Sequence, residues 1–245
     1  MEIELTTDFN LNKTLNYKPF LFLFKQKPER TVKYKNTLIN LTLNQNNNLL
    51  NIETDRKVDE NFVNRIRYCL GAEENLEQFY MLCRNDKVLS DYIDKIKGIR
   101  IVSAFSDFEA LVSIICSQMV GFEQYLKTLV KIYDSYGYFP EKEDILEKPE
   151  KLDSCSLGYR KKFILNLAEN YGKVPIEKIK GLGAYSINIF NIFQKRNYSF
   201  FYKDCLIDKI AREYYNSVDS VELSRNWGDW RGLAEVYLQK FLRDN

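Results

Sequence analysis

The chain has 245 residues, 45% apolar and 29% charged, with 36 Lys and Arg against 34 Asp and Glu. That is enough to bury a full core in one large domain or two small ones, and it excludes a disordered chain. Histidine is absent, which excludes Ser-His-Asp and Cys-His nucleophile systems and every His-ligated zinc, haem or non-haem iron site.

Acid–base chemistry must therefore fall to Asp, Glu, Lys, Tyr or Cys. The five cysteines, Cys69, Cys83, Cys116, Cys155 and Cys205, are widely spaced and contain no C-x-x-C pair. Reduced, mostly buried thiols are expected, with no iron–sulfur cluster, zinc ribbon or disulfide framework. The opening Met1-Glu2-Ile3-Glu4 lacks the basic and apolar regions of a signal peptide. The longest apolar run, Phe20 to Phe24, is far too short to cross a bilayer. A soluble, intracellular, monomeric chain without membrane contact is expected.

The first fifty-odd residues read as strands. Phe20 to Phe24 has the pattern of a short buried strand. In Thr31 to Lys35, Val32 and Tyr34 share a face. Ile39, Leu41 and Leu43 alternate with Asn40 and Thr42, Asn46-Asn47-Asn48 signals a turn, and Leu50 and Ile52 resume the alternation. An antiparallel sheet domain over 1–57 follows.

After residue 57 the period becomes helical. Ser106-Asp107-Phe108-Glu109 is a capping box, and Phe108, Leu111, Val112, Ile115 and Met119 continue one helix face. Phe163, Ile164, Leu167 and Ala168 mark a helix after the basic cluster Arg160-Lys161-Lys162. Ile207, Ile210, Ala211 and Tyr214 mark another, and Leu233, Val236, Tyr237 and Phe241 the last. The expected fold is α+β: an N-terminal antiparallel sheet, then a mostly helical body over 58–245. Charge is uneven, with eleven Lys/Arg and five Asp/Glu between Gly158 and Tyr215. Such a segment suits a polyanion, although a solvated helical surface has the same composition.

The most informative stretch is Ile179-Lys180-Gly181-Leu182-Gly183-Ala184-Tyr185-Ser186. It joins a short helix at about Pro175 to Ile179 to one running from about Ala184 to Lys195. Two glycines permit a tight turn ending at a helix N-terminus, where unpaired N–H groups attract a phosphate. Asp204 follows at the start of the next helix, about 204–215. An Asp there is by itself a common helix cap.

The sequence resembles the helix-hairpin-helix DNA glycosylases, in which a hairpin of Leu-Pro-Gly-Val/Ile-Gly type is followed by a helix and an Asp opening the next one. Here the hairpin region spans about 175–196 and the Asp segment is Lys203-Asp204-Cys205-Leu206-Ile207. Gly98-Ile99-Arg100-Ile101, Cys116-Ser117-Gln118-Met119-Val120, Leu157-Gly158-Tyr159-Arg160-Lys161-Lys162 and Trp227-Gly228-Asp229-Trp230-Arg231 extend the likeness over most of the chain. The N-terminal strands fit the branch that holds 3-methyladenine DNA glycosylase II and the 8-oxoguanine glycosylases.

This resemblance implies a base-excision-repair enzyme acting on double-stranded DNA with a damaged base, an alkylated purine first. An 8-oxoguanine glycosylase is the alternative within the class, and a non-catalytic helix-hairpin-helix DNA-binding protein the alternative outside it. Asp204 would stabilise the oxocarbenium-like transition state and assist water. Bifunctional members carry a Lys at the position of Tyr185, so a monofunctional glycosylase is implied, with Lys180 and Lys203 as substitute amines to test. Tyr185 would line the base pocket, or else fill the core. Trp230, Trp227 and Glu235 lie on or near the last helix, which borders that pocket in relatives, although core packing suits both tryptophans better. Glu in place of the usual Gln at 235 weakens the oxoguanine assignment. Gly181, Gly183, Ala184 and Ser186 would meet DNA. Met119 would fill the gap left by the flipped base, or else be the next apolar tooth of its helix, with Gln118 beside it. The carbonyls of Glu177, Ile179 and Leu182 would hold a monovalent cation, Na+ or K+. No other cofactor is required.

Overall fold

The computed structural model describes residues 1–17, 22 and 24–244. Strands β1 (Glu2–Glu4), β2 (Glu29–Tyr34), β3 (Thr37–Asn46) and β4 (Leu49–Thr54) form one antiparallel sheet in the order β1-β4-β3-β2. Both tight hairpins use two-residue turns. Lys35 and Asn36 have φ of 47° and 61°, the left-handed angles such turns need. Ile39, Leu41, Leu43, Leu50 and Ile52 are buried on one face, as their alternation predicts.

The sheet does not rest on its own residues alone. Its inner face packs on Phe62, Val63, Ile66, Cys69 and Leu70 of α2 (Glu60–Leu70), so this apolar unit continues past residue 57. The all-strand reading of the first fifty residues needs a correction. Leu11–Asn16 is a helix, α1, capped by the Asn10 side chain, which accepts the Lys13 N–H at 2.8 Å. Leu11 and Thr14, three apart, are buried, a helical spacing too short to stand out in the sequence. The strand expected at Phe20 to Phe24 falls largely outside the described residues. Phe22 and Phe24 are buried, but Phe22 is 3-10 helical and Phe24 lies in a turn.

The body comprises α3 (Glu77–Arg84), α4 (Ile93–Ile96), α5 (Asp107–Ser117), α6 (Phe122–Tyr136), α7 (Lys142–Glu147), α8 (Arg160–Asn170), α9 (Ala184–Ile189), α10 (Cys205–Tyr215), α11 (Ser220–Ser224) and α12 (Arg231–Asp244). Helix α5 is its axis, with every residue from Phe108 to Cys116 buried. Ser106 caps it, accepting the Glu109 N–H at 3.1 Å. The other half of the expected capping box is missing. Glu109 is 2% exposed and gives both oxygens to the buried Arg30 guanidinium, at 2.8 and 2.7 Å. A buried guanidinium needs a carboxylate more than an N-cap N–H does. This pair joins β2 to α5, and hence the sheet to the body.

Much of the basic charge between Gly158 and Tyr215 is neutralised or internal. Arg160 is buried and donates to the carbonyls of Cys116, Leu157 and Ser156. Lys161 pairs with Asp153, Lys195 with Asp107 and Arg196 with Glu74. Lys178, Lys180 and Lys203 are exposed beside the hairpin and Asp204, with no ion pair among the described residues.

Candidate active site

A 3-10 turn, Ile176–Lys178, leads into the hairpin, and α9 leaves it, continuing as a π-helical turn over Phe190–Gln194. The two glycines serve different needs. Gly181 has φ of +103°, and a Cβ there would lie 2.7 Å from Phe163 Cγ of α8. Gly183 has φ of −86° and open space around it, so its bareness matters to whatever approaches from outside. Gly183 caps α9, and Gly183, Ala184 and Tyr185 are exposed. Ser186 is buried, and its hydroxyl accepts from Gln118 Nε2 at 3.3 Å.

Gln118 ends α5 and also donates Nε2 to the Gly181 carbonyl at 2.7 Å. Its amide is therefore turned to the hairpin rather than outward. Met119 follows with φ of 55° and 91% exposure. It is not a core tooth of α5, because the helix stops at Ser117 and the chain turns outward.

Asp204 is the N-cap of α10. Its Oδ1 accepts the Leu206 N–H at 2.9 Å, which fixes the side chain. Lys203 before it has φ of 54°, a left-handed kink that presents Asp204 at the helix mouth. Glu235 of α12 lies behind the kink, fully buried. Its two oxygens accept the N–H groups of Tyr202, at 3.1 Å, and Asp204, at 3.0 Å. Burial pushes the Glu235 carboxyl up to about 8, partly offset by these backbone donors.

Asp204 also lines a cavity of about 180 Å³ between α5, α6, α9, α10 and α12. Six rings face it, from Tyr17, Phe122, Tyr125, Tyr185, Phe193 and Tyr202, together with Ser117 and Gln239. Tyr185 meets Tyr202 edge to face, with centroids 5.8 Å apart. Partial burial, with Asp204 and Glu235 nearby, pushes the Tyr185 phenol above its ordinary range. The space is smaller than that of a typical drug-sized ligand site and suits one planar heterocycle.

The structure thus brings Asp204 and Tyr185 together in one cavity, beside Gly181, Gly183 and Ala184 of the hairpin. It places two expected pocket residues elsewhere. Trp230 stacks on Tyr198 at 5.8 Å and packs on Phe79, outside the cavity, because the 3-10 turn Arg225–Trp230 precedes α12. Glu235 faces the backbone behind Asp204 rather than the cavity. Trp227 is core, with Nε1 donating to Asp86 at 2.8 Å. Sequence reasoning missed Tyr17, Phe122, Tyr125, Phe193, Tyr202 and Gln239. Only Tyr202, two residues before Asp204, carried a positional hint.

In the hairpin, the Ile179 carbonyl accepts the Leu182 N–H at 3.1 Å, and a carbonyl oxygen retains a second lone pair. Among the described residues, no group of three His, Cys, Asp or Glu side chains could hold a metal, and no helix is long and apolar enough to cross a membrane.

The α+β frame has counterparts among solved structures. The chain has the helix-hairpin-helix fold of the 3-methyladenine and 8-oxoguanine DNA glycosylases. The 3-methyladenine DNA glycosylase from Archaeoglobus fulgidus superposes with a TM-score of 0.80 at 18% identity, over 100% of this chain and 98% of that one. MBOgg1, solved with a low-affinity DNA ligand, gives 0.79 at 21% identity, over 99% and 95%. The Clostridium acetobutylicum 8-oxoguanine glycosylase/lyase, solved with double-stranded DNA holding cytosine opposite 8-oxoguanine, gives 0.73 at 19% identity, over 100% and 98%. No protein-family model and no curated protein sequence matches the chain.

Proposed function

We propose that this protein is a base-excision-repair DNA glycosylase. It hydrolyses the N-glycosidic bond of a damaged base, an alkylated purine, flipped out of duplex DNA into the cavity. The observation that carries this reading is the Asp204 carboxylate in the wall of an aromatic cavity of nucleobase size, next to the hairpin. As the bond from C1′ to the base breaks, its electron pair leaves with the base and the sugar becomes oxocarbenium-like. Asp204 stabilises that positive charge and takes a proton from the water that adds to C1′. A cationic methylated purine departs as a neutral base, so it needs no strong general acid. Ring faces such as those of Tyr185 and Tyr202 attract a cationic base.

Tyr185, where bifunctional relatives carry Lys, supports a monofunctional enzyme, since a phenol cannot form a Schiff base. Backbone N–H groups at Gly183, Ala184 and Ser186 would grip a phosphate, and exposed Met119 would occupy the vacated stack. A monovalent cation on the three hairpin carbonyls would add positive charge toward that phosphate. The enzyme would act as a monomer inside the cell.

The test is incubation with duplexes that each carry one defined lesion, with identification of the released base. Asp204→Asn should lower base release by at least about 100-fold while DNA binding is kept or tightened. Undiminished turnover rejects the mechanism. DNA binding without release of any base by the wild type favours a non-catalytic binder, and selective release of 8-oxoguanine moves the substrate to the other branch. Borohydride should trap no covalent complex. A trapped one would place the attacking amine on a lysine such as Lys180 or Lys203.

A further inference from the structure

Asp204 ends a segment, residues 197–204, that is slung between two helices. On one side stands α12. Its Gly232 N–H donates to the Tyr198 carbonyl at 2.8 Å, Arg231 Nε donates to the Ser199 carbonyl, and Glu235 accepts the N–H groups of Tyr202 and Asp204. On the other side stands α9, the helix that leaves the hairpin. Tyr185 and Asn188, one turn apart, share a face of it. Tyr185 meets the Tyr202 ring edge to face. Asn188 donates Nδ2 to the Phe201 carbonyl at 2.8 Å, and among the described residues this is the one hydrogen bond from α9 to the segment. The backbone of α9 packs chiefly on α5, so its connection to Asp204 runs through these two side chains. Lys203, between the anchored N–H groups, keeps a left-handed φ of 54°. A non-glycine residue stays in that region only where its surroundings hold it.

We infer that Asn188 is a positioning residue: through the Phe201 carbonyl it sets where Asp204 stands relative to the hairpin. This rests on the proposed reading of Asp204 as the catalytic carboxylate and of the hairpin as the grip on DNA. A phosphate docked on the N–H groups of Gly183, Ala184 and Ser186 fixes the strand, and with it the C1′ that reacts. The gap between that carbon and Asp204 then follows the distance from α9 to residues 201–204. A misplacement of about 1 Å in such a gap costs about 100-fold in rate. The contact between Tyr185 and Tyr202 attracts without fixing a length. An amide–carbonyl hydrogen bond weakens steeply away from its preferred length and angle, so it fixes both. The α12 bonds hold Asp204 to the body, and Asn188 holds it to the element that meets the DNA.

The test uses Asn188→Leu, which keeps a similar volume and removes the donor, and Asn188→Asp, which keeps the shape and sets an acceptor against the carbonyl. Both should release base about 10- to 100-fold more slowly than wild type in single turnover. Both should keep the wild-type affinity for a duplex carrying a tetrahydrofuran abasic analogue, within about twofold. Hydrogen exchange at the Leu206 N–H, which donates to Asp204 Oδ1, should be faster in both. Undiminished release overturns the inference, and so does a loss confined to one variant, which would follow shape or charge rather than the donor. Unchanged exchange at Leu206 overturns it as well, because Asp204 has then not moved. A matching loss of abasic-duplex affinity also does so, because the hairpin itself has then collapsed. Wild-type protein that releases no base from any duplex rejects the glycosylase reading instead, and exchange at Leu206 then decides by itself whether Asn188 holds Asp204.

Discussion

Asp204 is held in place by a residue 31 positions away. Glu235 fastens the N–H groups on either side of the Lys203 kink, so the carboxylate at the cavity and the one behind it form a single arrangement. The sequence placed Asp204 at a helix start, which leaves a local signature, and the family resemblance singled it out. It misdirected Glu235 toward the base, since helical spacing alone does not say which neighbour a buried side chain meets. Glu235→Ala would leave two buried N–H groups unpaired. We expect a loss of about 1–3 kcal/mol in stability and slower base release with DNA affinity retained, measured by denaturant melts and single-turnover kinetics. The carboxyl rises from its ordinary 4.5 to about 8 in the fold, and burial pushes Glu141 to about 7. The folded chain then binds more protons than the unfolded chain across that window. Stability is fully present below pH of about 4.5 and is lost as pH rises toward 8. The melting temperature should fall between pH of about 5.5 and 8.5, and Glu235→Gln should flatten that fall. An equally steep fall in the variant would remove Glu235 as the cause.

At the scale of the element, the hairpin separates two demands that the sequence wrote with the same letter. Gly181 is needed by the fold, because its φ is positive and Phe163 occupies the space of a Cβ. Gly183 is needed by neither backbone angle nor packing. Gly181→Ala should destabilise the protein by about 1–3 kcal/mol. Gly183→Ala should leave the melting temperature within about 1–2 °C yet weaken DNA binding, as its methyl would stand where the proposed function brings a phosphate. Melts and binding titrations of the two variants check this, and equal effects on stability would contradict it. The hairpin was legible because glycines and a following helical period are local. Its link to α5 through Gln118 was not, for that bond spans 63 positions.

Across the whole molecule, polar points join the sheet to the helical body, and among those of the described residues Arg30–Glu109 is deeply buried, both side chains being 3% exposed. Thr31 N–H donates to the Tyr133 hydroxyl at 2.9 Å and Lys33 pairs with Asp144 at 2.6 Å along the same strand. Arg30→Ala would strand a carboxylate inside α5 and should cost about 3–5 kcal/mol. Replacing both partners with apolar residues of similar volume should recover most of that loss. Urea melts of the single and double variants measure it, and a single variant as stable as wild type would show the pair to be dispensable.

Read by itself, the amino-acid order determined the α+β class, the strand faces, the hairpin, the helix opened by Asp204 and the absence of any histidine chemistry. These depend on periodicity and on turn residues, which act within a few positions. Tertiary structure alone decided the cavity. Its rings come from Tyr17, Phe122, Tyr125, Tyr185, Phe193 and Tyr202, spread over most of the chain, and no local pattern distinguishes an aromatic that faces a void from one that fills a core. It also decided that Trp230 packs away from Asp204, that Glu235 holds the backbone behind it, and that Gln239 faces the space in front. Which way a helix face points is set by what packs against it, and that partner lies elsewhere in the sequence.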